Sequence, residues 1–355
     1  MFSGSYLKED VTFLLKVIDI PFTSIEQKER LIQSKVSHYS EMLSAEYEPS
    51  QAYLEVFYQA FARNGIRFAR DILVMAEHIS HKKRSVLVSL VRAGTPIGVL
   101  IGRTLRAKFG LEVPHYSISI IRDREIDNVA LRYIVENHPK SEIVFIDGWT
   151  GKGVISRELK TFIAKFNREN HTTLSDHLYV VSDIAGMADF AVTNEDYLIP
   201  SSSLNSTISG LVSRSVLNRD YIATGEFHGC LYYQEYAKSD LSLWFVDEVM
   251  KMIDLIEPTG QSLIQKQHNK NAIIDEFFIS LGQKYNIEDI NYIKPGIGES
   301  TRVLLRRVPH LILVQDIHSE EIAHLILLAR EKNVKIEEDP TLPFCALAII
   351  KEVER

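Results

Sequence analysis

The residues best equipped for chemistry lie between positions 143 and 153, where an apolar run is followed by Asp147, Gly148, Trp149, Thr150, Gly151, Lys152 and Gly153. A strand over 143–146 would deliver Asp147 to its carboxyl end. A carboxylate there is an acceptor-only group that can take hydrogen bonds from two ribose hydroxyls at once. Gly148, Gly151 and Gly153 let the following loop turn tightly and expose backbone N–H groups. Thr150 adds a hydroxyl and Lys152 a cation, and a helix beginning at 154 offers favourable polarity to a dianionic phosphate. Lys152 is followed by Gly153 and not by the serine or threonine that a P-loop ATPase places after its lysine, which excludes that motif. The plainer alternative is a β–α turn with solvent-facing polar residues.

Other segments carry weaker signals. Ala93 and Gly94 would let the backbone approach a ligand, and Arg92 offers forked donors that suit pyrophosphate oxygens. Arg122 and Asp123 close another predicted strand, either addressing a second anionic group or forming a charged surface loop. His228 and Cys230 bring an imidazole and a thiol two positions apart, and a thiol beside a base can be a nucleophile. No orienting acid is evident, so a buried or incidental cysteine is the better reading and the pair stays an alternative. Towards the end of the chain, Gly298 precedes Arg302 and Arg306, which are four apart on one helical side, with Arg307 adjacent. These arginines either contact phosphates or dock one domain on another. The two cysteines, Cys230 and Cys345, form no ligand-spaced pair, and no protein ligand to a metal is assigned.

The elements that must position these residues follow from the hydrophobic pattern. Short apolar runs at 85–91, 116–121, 143–146 and 178–181 alternate with helical spacing at 97–109, 127–137 and 154–166, which predicts parallel βαβ units. In such sheets ligands bind beyond the carboxyl ends of the strands, where the polar loops fall. Residues 1–80 read as a mainly helical cap or interface region, with Ser24 and Gln27 as a capping box. The main domain spans 81–284 and includes a polar loop or lid at 200–210 and helical spacing over 243–280. Residues 285–294 read as a linker. Within 285–355 a small α/β domain follows, with helices at 299–307 and 319–332 and strands at 311–314, 334–336 and 346–350. The fold class is therefore α/β, a helix-flanked parallel sheet with an N-terminal helical region and a small C-terminal α/β domain.

Composition sets the frame. At 355 residues the chain favours two or more domains, and 45% apolar with 25% charged residues reads as a folded protein. A net charge of −7 argues against a general nucleic-acid or membrane coat but leaves room for a local basic patch. The cysteine usage points to a cytoplasmic, disulfide-free protein. No apolar run approaches the roughly 20 residues needed to span a bilayer.

The three loops, in this order and spacing, resemble those of phosphoribosyltransferases. Residues 86–96 resemble the pyrophosphate-loop strand, most closely in the uracil-using branch. Residues 121–123 resemble the segment before the mobile catalytic loop, and residues 144–153 the phosphoribosyl-pyrophosphate signature. Two positions depart from the family pattern: Gly148 stands where a second acid is usual, and Lys152 where a threonine is. The whole chain resembles, more specifically, a bacterial group of divergent phosphoribosyltransferases from tellurite-resistance and stress-response gene clusters, a group also labelled cysteine protease. Residues 296–352 resemble the RNA-binding domain of pelota and of ribosomal proteins that recognise kinked RNA.

These resemblances imply displacement at ribose C1, with magnesium pyrophosphate leaving or attacking, in the making or modification of a nucleoside-like metabolite. Arg92 and Mg²⁺ would take the pyrophosphate, Asp147 the ribose hydroxyls and residues 148–153 the 5′-phosphate. Arg122 and Asp123 would assist, and Trp149 and Tyr116 would offer a stacking face to the acceptor. The implied partners are phosphoribosyl pyrophosphate or a ribose phosphate, a structured RNA, and a second copy or cluster-encoded proteins. Two other readings stay open: a non-catalytic nucleotide-sensing RNA-binding protein and a cysteine-dependent hydrolase.

Overall fold

The computed structural model describes residues 1–265, 268–287 and 289–352, with the backbone alone for 268–273. Seven strands build the central sheet: β1 Thr12–Phe13, β2 Ser85–Leu90, β3 His115–Ile118, β4 Glu142–Thr150, β5 Leu178–Asp183, β6 Phe190–Thr193 and β7 Ile264–Gln265. Their order across the sheet is β1-β3-β2-β4-β5-β6-β7, all parallel except β7. Strands β2 and β5 are buried along their whole length, as a sheet covered on both faces requires.

The period of two along each strand divides the core. Leu87, Val144, Ile146, Tyr179 and Val181 face one layer, built from α2 Gln51–Ser80, α3 Gly94–Phe109 and α6 Ser242–Asp254. Val86, Val88, Ile143, Phe145 and Val180 face the other, built from α4 Asn128–Asn137 and α5 Val154–Asn170. The chain leaves β2 towards β3 on one side, and β4 lies on the other. The carboxyl ends of β2 and β4 thus flank the crevice where sheets of this kind hold ligands. A shorter helix, α1 Ile25–Gln33, starts at Ser24, whose hydroxyl accepts from the Gln27 N–H at 3.2 Å.

A second sheet holds β8 Ile293–Pro295, β9 Pro309–Val314, β10 Lys335–Glu338 and β11 Ala346–Ile350, in the order β8-β11-β9-β10. It carries α8 Ile297–Arg306 and α9 Ala323–Glu331, and α7 His268–Lys284 packs Phe278 and Leu281 into its core. Asp196 of the main unit clamps this one in place, accepting from the backbone N–H of Ile297 at 3.0 Å and of Cys345 at 2.9 Å. Glu321 returns the contact, accepting from Leu198 N–H at 2.8 Å and from the Asn64 amide at 2.9 Å.

Four local expectations are corrected. Residues 1–80 are α-helical over 25–33 and 51–80 with a 3-10 turn at 39–41, while the apolar, β-branched run around Thr12–Phe13 pairs with β3 and enlarges the sheet. β4 runs past Ile146 to Thr150, since its ladder with β5 continues through Trp149 and Thr150. The helical spacing over 243–280 is broken into α6 and α7 around Pro258 and Gly260. Residues 200–210 are no open lid: they form buried 3-10 turns in which Ser203 donates to the Pro200 carbonyl at 2.8 Å and Ser209 to the Asn205 carbonyl at 2.9 Å. Among the described residues no helix is long and apolar enough to cross a membrane.

Candidate functional site: a basic cavity between two units

Between the end of β4 and α8 lies a cavity of about 330 Å³. Asp147 and Trp149, two apart on the same face of β4, line it, and so does the turn Gly151–Gly153 with the first residues of α5. Gly153 has a φ of +67°, and a side chain there would run into Met187. Glycine is thus obligatory at the point where strand becomes helix. No side chain caps the start of α5, leaving its first N–H groups for whatever enters the cavity. The Thr150 hydroxyl is committed elsewhere, donating to Asp183, which also accepts from the N–H groups of Met187 and Ala188.

Burial pushes the Asp147 carboxyl up to about 6, against the opposing pull of Arg302 and of the Gly148 N–H, which donates to it at 2.8 Å. Arg302 lies 4.5 Å over the Trp149 ring and pairs with Glu299 at 2.5 Å. Gly298 allows this stacking, since a Cβ on it would sit 2.5 Å from Trp149 Cε2. Gly298→Val is expected to push α8 off the tryptophan and destabilise the protein by about 1–3 kcal/mol, the usual cost of overpacking. Thermal denaturation, with limited proteolysis of the C-terminal unit, would check this.

Cations dominate the rest of the wall. Lys28, Arg122, Lys152, Arg214, Lys294, Arg302, Arg306 and Arg307 line the cavity, against only Asp147 and Glu299 as acids. Arg122, Arg302 and Arg307 have carboxylate partners in Asp123, Glu299 and Glu29. Among the described residues the other five have none within ion-pair distance. Lys28 donates to the Ser44 hydroxyl at 3.2 Å, Lys152 to the Ile290 carbonyl at 2.6 Å, and Arg214 to the carbonyls of Tyr39 and Met42. Arg306 donates to the Asn205 side-chain oxygen. Desolvation, then the neighbouring cations, pulls Lys28 and Lys152 down to about 7. Lys294 falls to about 8, mainly by burial.

Sequence reasoning placed Asp147, Gly148–Gly153 and Arg302–Arg307 in two separate sites, and the fold brings them into one. Arg122 also lines the cavity; its backbone N–H donates to the Tyr39 hydroxyl at 2.8 Å. Asp123, at a φ of +62°, sits in the turn of a small hairpin and only pairs with Arg122. Arg92 stands behind the wall. It is buried, pairs with Glu46 at 2.8 Å and donates to the Asn205 oxygen that Arg306 shares. Gly94 packs against the backbone at Ile146 and Asp147, and Ala93 approaches Gly148, so this loop braces β4. Tyr116 lies apart, bonded to His138 at 2.9 Å. Lys28, Tyr39, Arg214, Lys294 and Asn205 escaped sequence reasoning, because each sits alone on a segment without a motif.

The thiols lie elsewhere. Cys230 is fully buried in the apolar core, and desolvation pushes it up to about 12. Its neighbour His228 is engaged by the Ser119 hydroxyl at 2.8 Å and by Glu125 at 3.4 Å. Cys345, also pushed up to about 12, donates to the Asp196 carbonyl. Among the described residues no histidine hydrogen-bonds either sulfur. Cys230→Ala is expected to leave ligand binding at the cavity within twofold of wild type, measured by calorimetry.

A family model described as "Tellurite-like stress resistance cysteine protease StiP" matches residues 4–250, and one described as "PELOTA RNA binding domain" matches residues 275–352. A curated relative from Acinetobacter baylyi, named cysteine protease StiP, is 39% identical over 99% of this chain and 95% of its own. A hypothetical protein from Neisseria gonorrhoeae, solved with bound ppGpp, is 15% identical over 33% of this chain and 66% of that one. Its TM-score is 0.20, too low to carry an argument.

Proposed function

The chain belongs to the StiP family of tellurite-like stress resistance proteins, and we propose that it is a phosphoribosyltransferase-like enzyme whose cavity holds phosphoribosyl pyrophosphate or a related ribose phosphate. The observation that carries this reading is that Asp147, the uncapped start of α5 and five cations without carboxylate partners among the described residues all face one cavity. Asp147 takes the ribose hydroxyls, and the Gly151–Gly153 turn with the α5 amides takes the 5′-phosphate. The C1–oxygen bond to the diphosphate breaks with its electron pair on the diphosphate, a lone pair of the acceptor forms the new bond to C1, and an acceptor N–H or O–H gives its proton to the departing diphosphate or to solvent; the reverse uses the same contacts. Such a step needs a neutralised diphosphate and a stabilised cationic carbon, and no nucleophilic side chain.

Among the described residues no set of three or more acidic, histidine or cysteine side chains is grouped to hold a metal, so Mg²⁺ would enter as the counter-ion of the diphosphate. The match of residues 275–352 to an RNA-binding domain favours a second reading, a nucleotide sensor that reports to RNA. One experiment separates them: the full chain is given phosphoribosyl pyrophosphate, Mg²⁺ and a panel of bases and nucleosides, and binding and pyrophosphate release are followed. Binding with turnover supports the enzyme, binding without turnover supports the sensor, and no binding of phosphoribosyl pyrophosphate removes the enzyme reading.

A further inference from the structure

The cations of the cavity fall into two groups. Lys152, Lys294 and Arg122 gather near the Gly151–Gly153 turn and feel one another's charge. Lys28, Arg214 and Arg306 line the same cavity and feel one another's charge, with Arg307, held by Glu29, beside them. This second group comes from three distant parts of the chain: α1, the segment after the buried 3-10 turns, and α8 of the C-terminal unit. Each of its members is held by a neutral oxygen, from Ser44, from the Tyr39 and Met42 carbonyls and from Asn205. Such acceptors fix direction without cancelling charge, and the buried Glu46, paired with Arg92, offsets the charge of Arg214 and Arg306 only in part. Lys28 is 5% exposed, and a buried charge without a carboxylate partner is costly. Arg92, neutralised by Glu46, anchors the same Asn205 from behind and so orients Arg306.

We propose that Lys28, Arg214 and Arg306 form a diphosphate-binding subsite, in which the C-terminal RNA-binding-type unit lends an arginine to the ligand held by the main unit. Two forked guanidiniums and an ammonium converging from separate elements match the oxygens of a diphosphate and offer more charge than a single carboxylate needs. The diphosphate group comes either from the phosphoribosyl donor itself or from a second, nucleotide-like substrate. The donor assignment rests on the ribose-phosphate reading above; the subsite itself does not.

The test is calorimetric titration of the full chain with inorganic pyrophosphate, ribose 5-phosphate and phosphoribosyl pyrophosphate. Lys28→Met and Arg306→Gln should each weaken pyrophosphate roughly 10- to 100-fold, the usual loss for charge-assisted hydrogen bonds, while ribose 5-phosphate stays within threefold. Arg306→Lys, which keeps the charge, should recover part of the loss, and it replaces Arg306→Gln should that variant not fold. If phosphoribosyl pyrophosphate loses affinity in parallel with pyrophosphate, the diphosphate belongs to the donor; if it does not, a second substrate carries it. Pyrophosphate binding that ignores Lys28 and Arg306 but needs Lys152 and Lys294 would overturn the subsite. So would loss of a structured RNA, and not of pyrophosphate, in the same variants. Pyrophosphate bound through Lys28 and Arg306 by a chain that ignores ribose 5-phosphate would leave the subsite standing and remove the ribose reading.

Discussion

Asp147→Asn is expected to weaken ribose 5-phosphate roughly 10- to 100-fold, the cost of losing hydrogen bonds to a charged acceptor. The amide presents one acceptor oxygen and an NH₂ donor where the carboxylate presents two acceptor oxygens, so the variant loses the charge and accepts from fewer sugar hydroxyls. The pH dependence identifies the group. Because burial raises Asp147 to about 6 in the folded chain, its ionised form disappears as pH falls through 6 and not through the usual value near 3.8. Wild-type binding should therefore fall more steeply than the variant's as pH drops through 6, the limb that the variant keeps being that of the ligand's own phosphate.

Stability should move the other way. Between about pH 4 and 6 the folded chain holds a proton on Asp147 that the unfolded chain has released, so stability from this group falls as pH rises through that window. Asp147→Asn removes the ionisation and should be no less stable than wild type at pH 7. A variant that binds ribose 5-phosphate like wild type would show that the carboxylate does not serve the sugar.

The second large effect is on the stability of the ligand-free protein. Lys28 and Lys152 fall to about 7 and Lys294 to about 8 when folded, from 10.5. Groups with depressed folded values oppose folding most below pH 7, where they must be charged in both states. Between pH 7 and 10.5 the unfolded chain holds more protons, so their contribution to stability rises with pH. A bound polyanion supplies the missing counter-charge. Pyrophosphate at a hundred times its Kd should stabilise the chain by about 2.7 kcal/mol. At pH 8 its binding should take up protons, since Lys28 and Lys152 are then largely neutral. Thermal melts at pH 6.5 and 9, and calorimetry in buffers of different ionisation enthalpy, measure both. A pH-independent melting point and no proton uptake would mean that these lysines are already compensated.

How much of this could be read beforehand differs from residue to residue. Asp147 was legible because a four-residue apolar run ending in Asp-Gly has few other uses, and Gly153 because only glycine takes the left-handed turn into α5. The Arg302–Arg306 face was legible as a basic helical stripe, but not its direction. Sequence periodicity says which residues share a face; it does not say whether that face meets solvent or another unit. Arg92 illustrates the same limit from the other side: its type suited a ligand, yet Glu46, forty-six positions away, neutralises it.

The sequence by itself determined the alternation of strands and helices, the strand carrying Asp147 and the existence of a distinct C-terminal unit, because local periodicity and turn chemistry set these within a dozen residues. Only the tertiary structure decided that Lys28, Arg214, Lys294 and Arg306 share a cavity with Asp147, and that Cys230 is sealed in the core. Electrostatic neighbours and burial depend on distances between segments hundreds of residues apart, and these distances exist only once the two sheets have docked through Asp196 and Glu321.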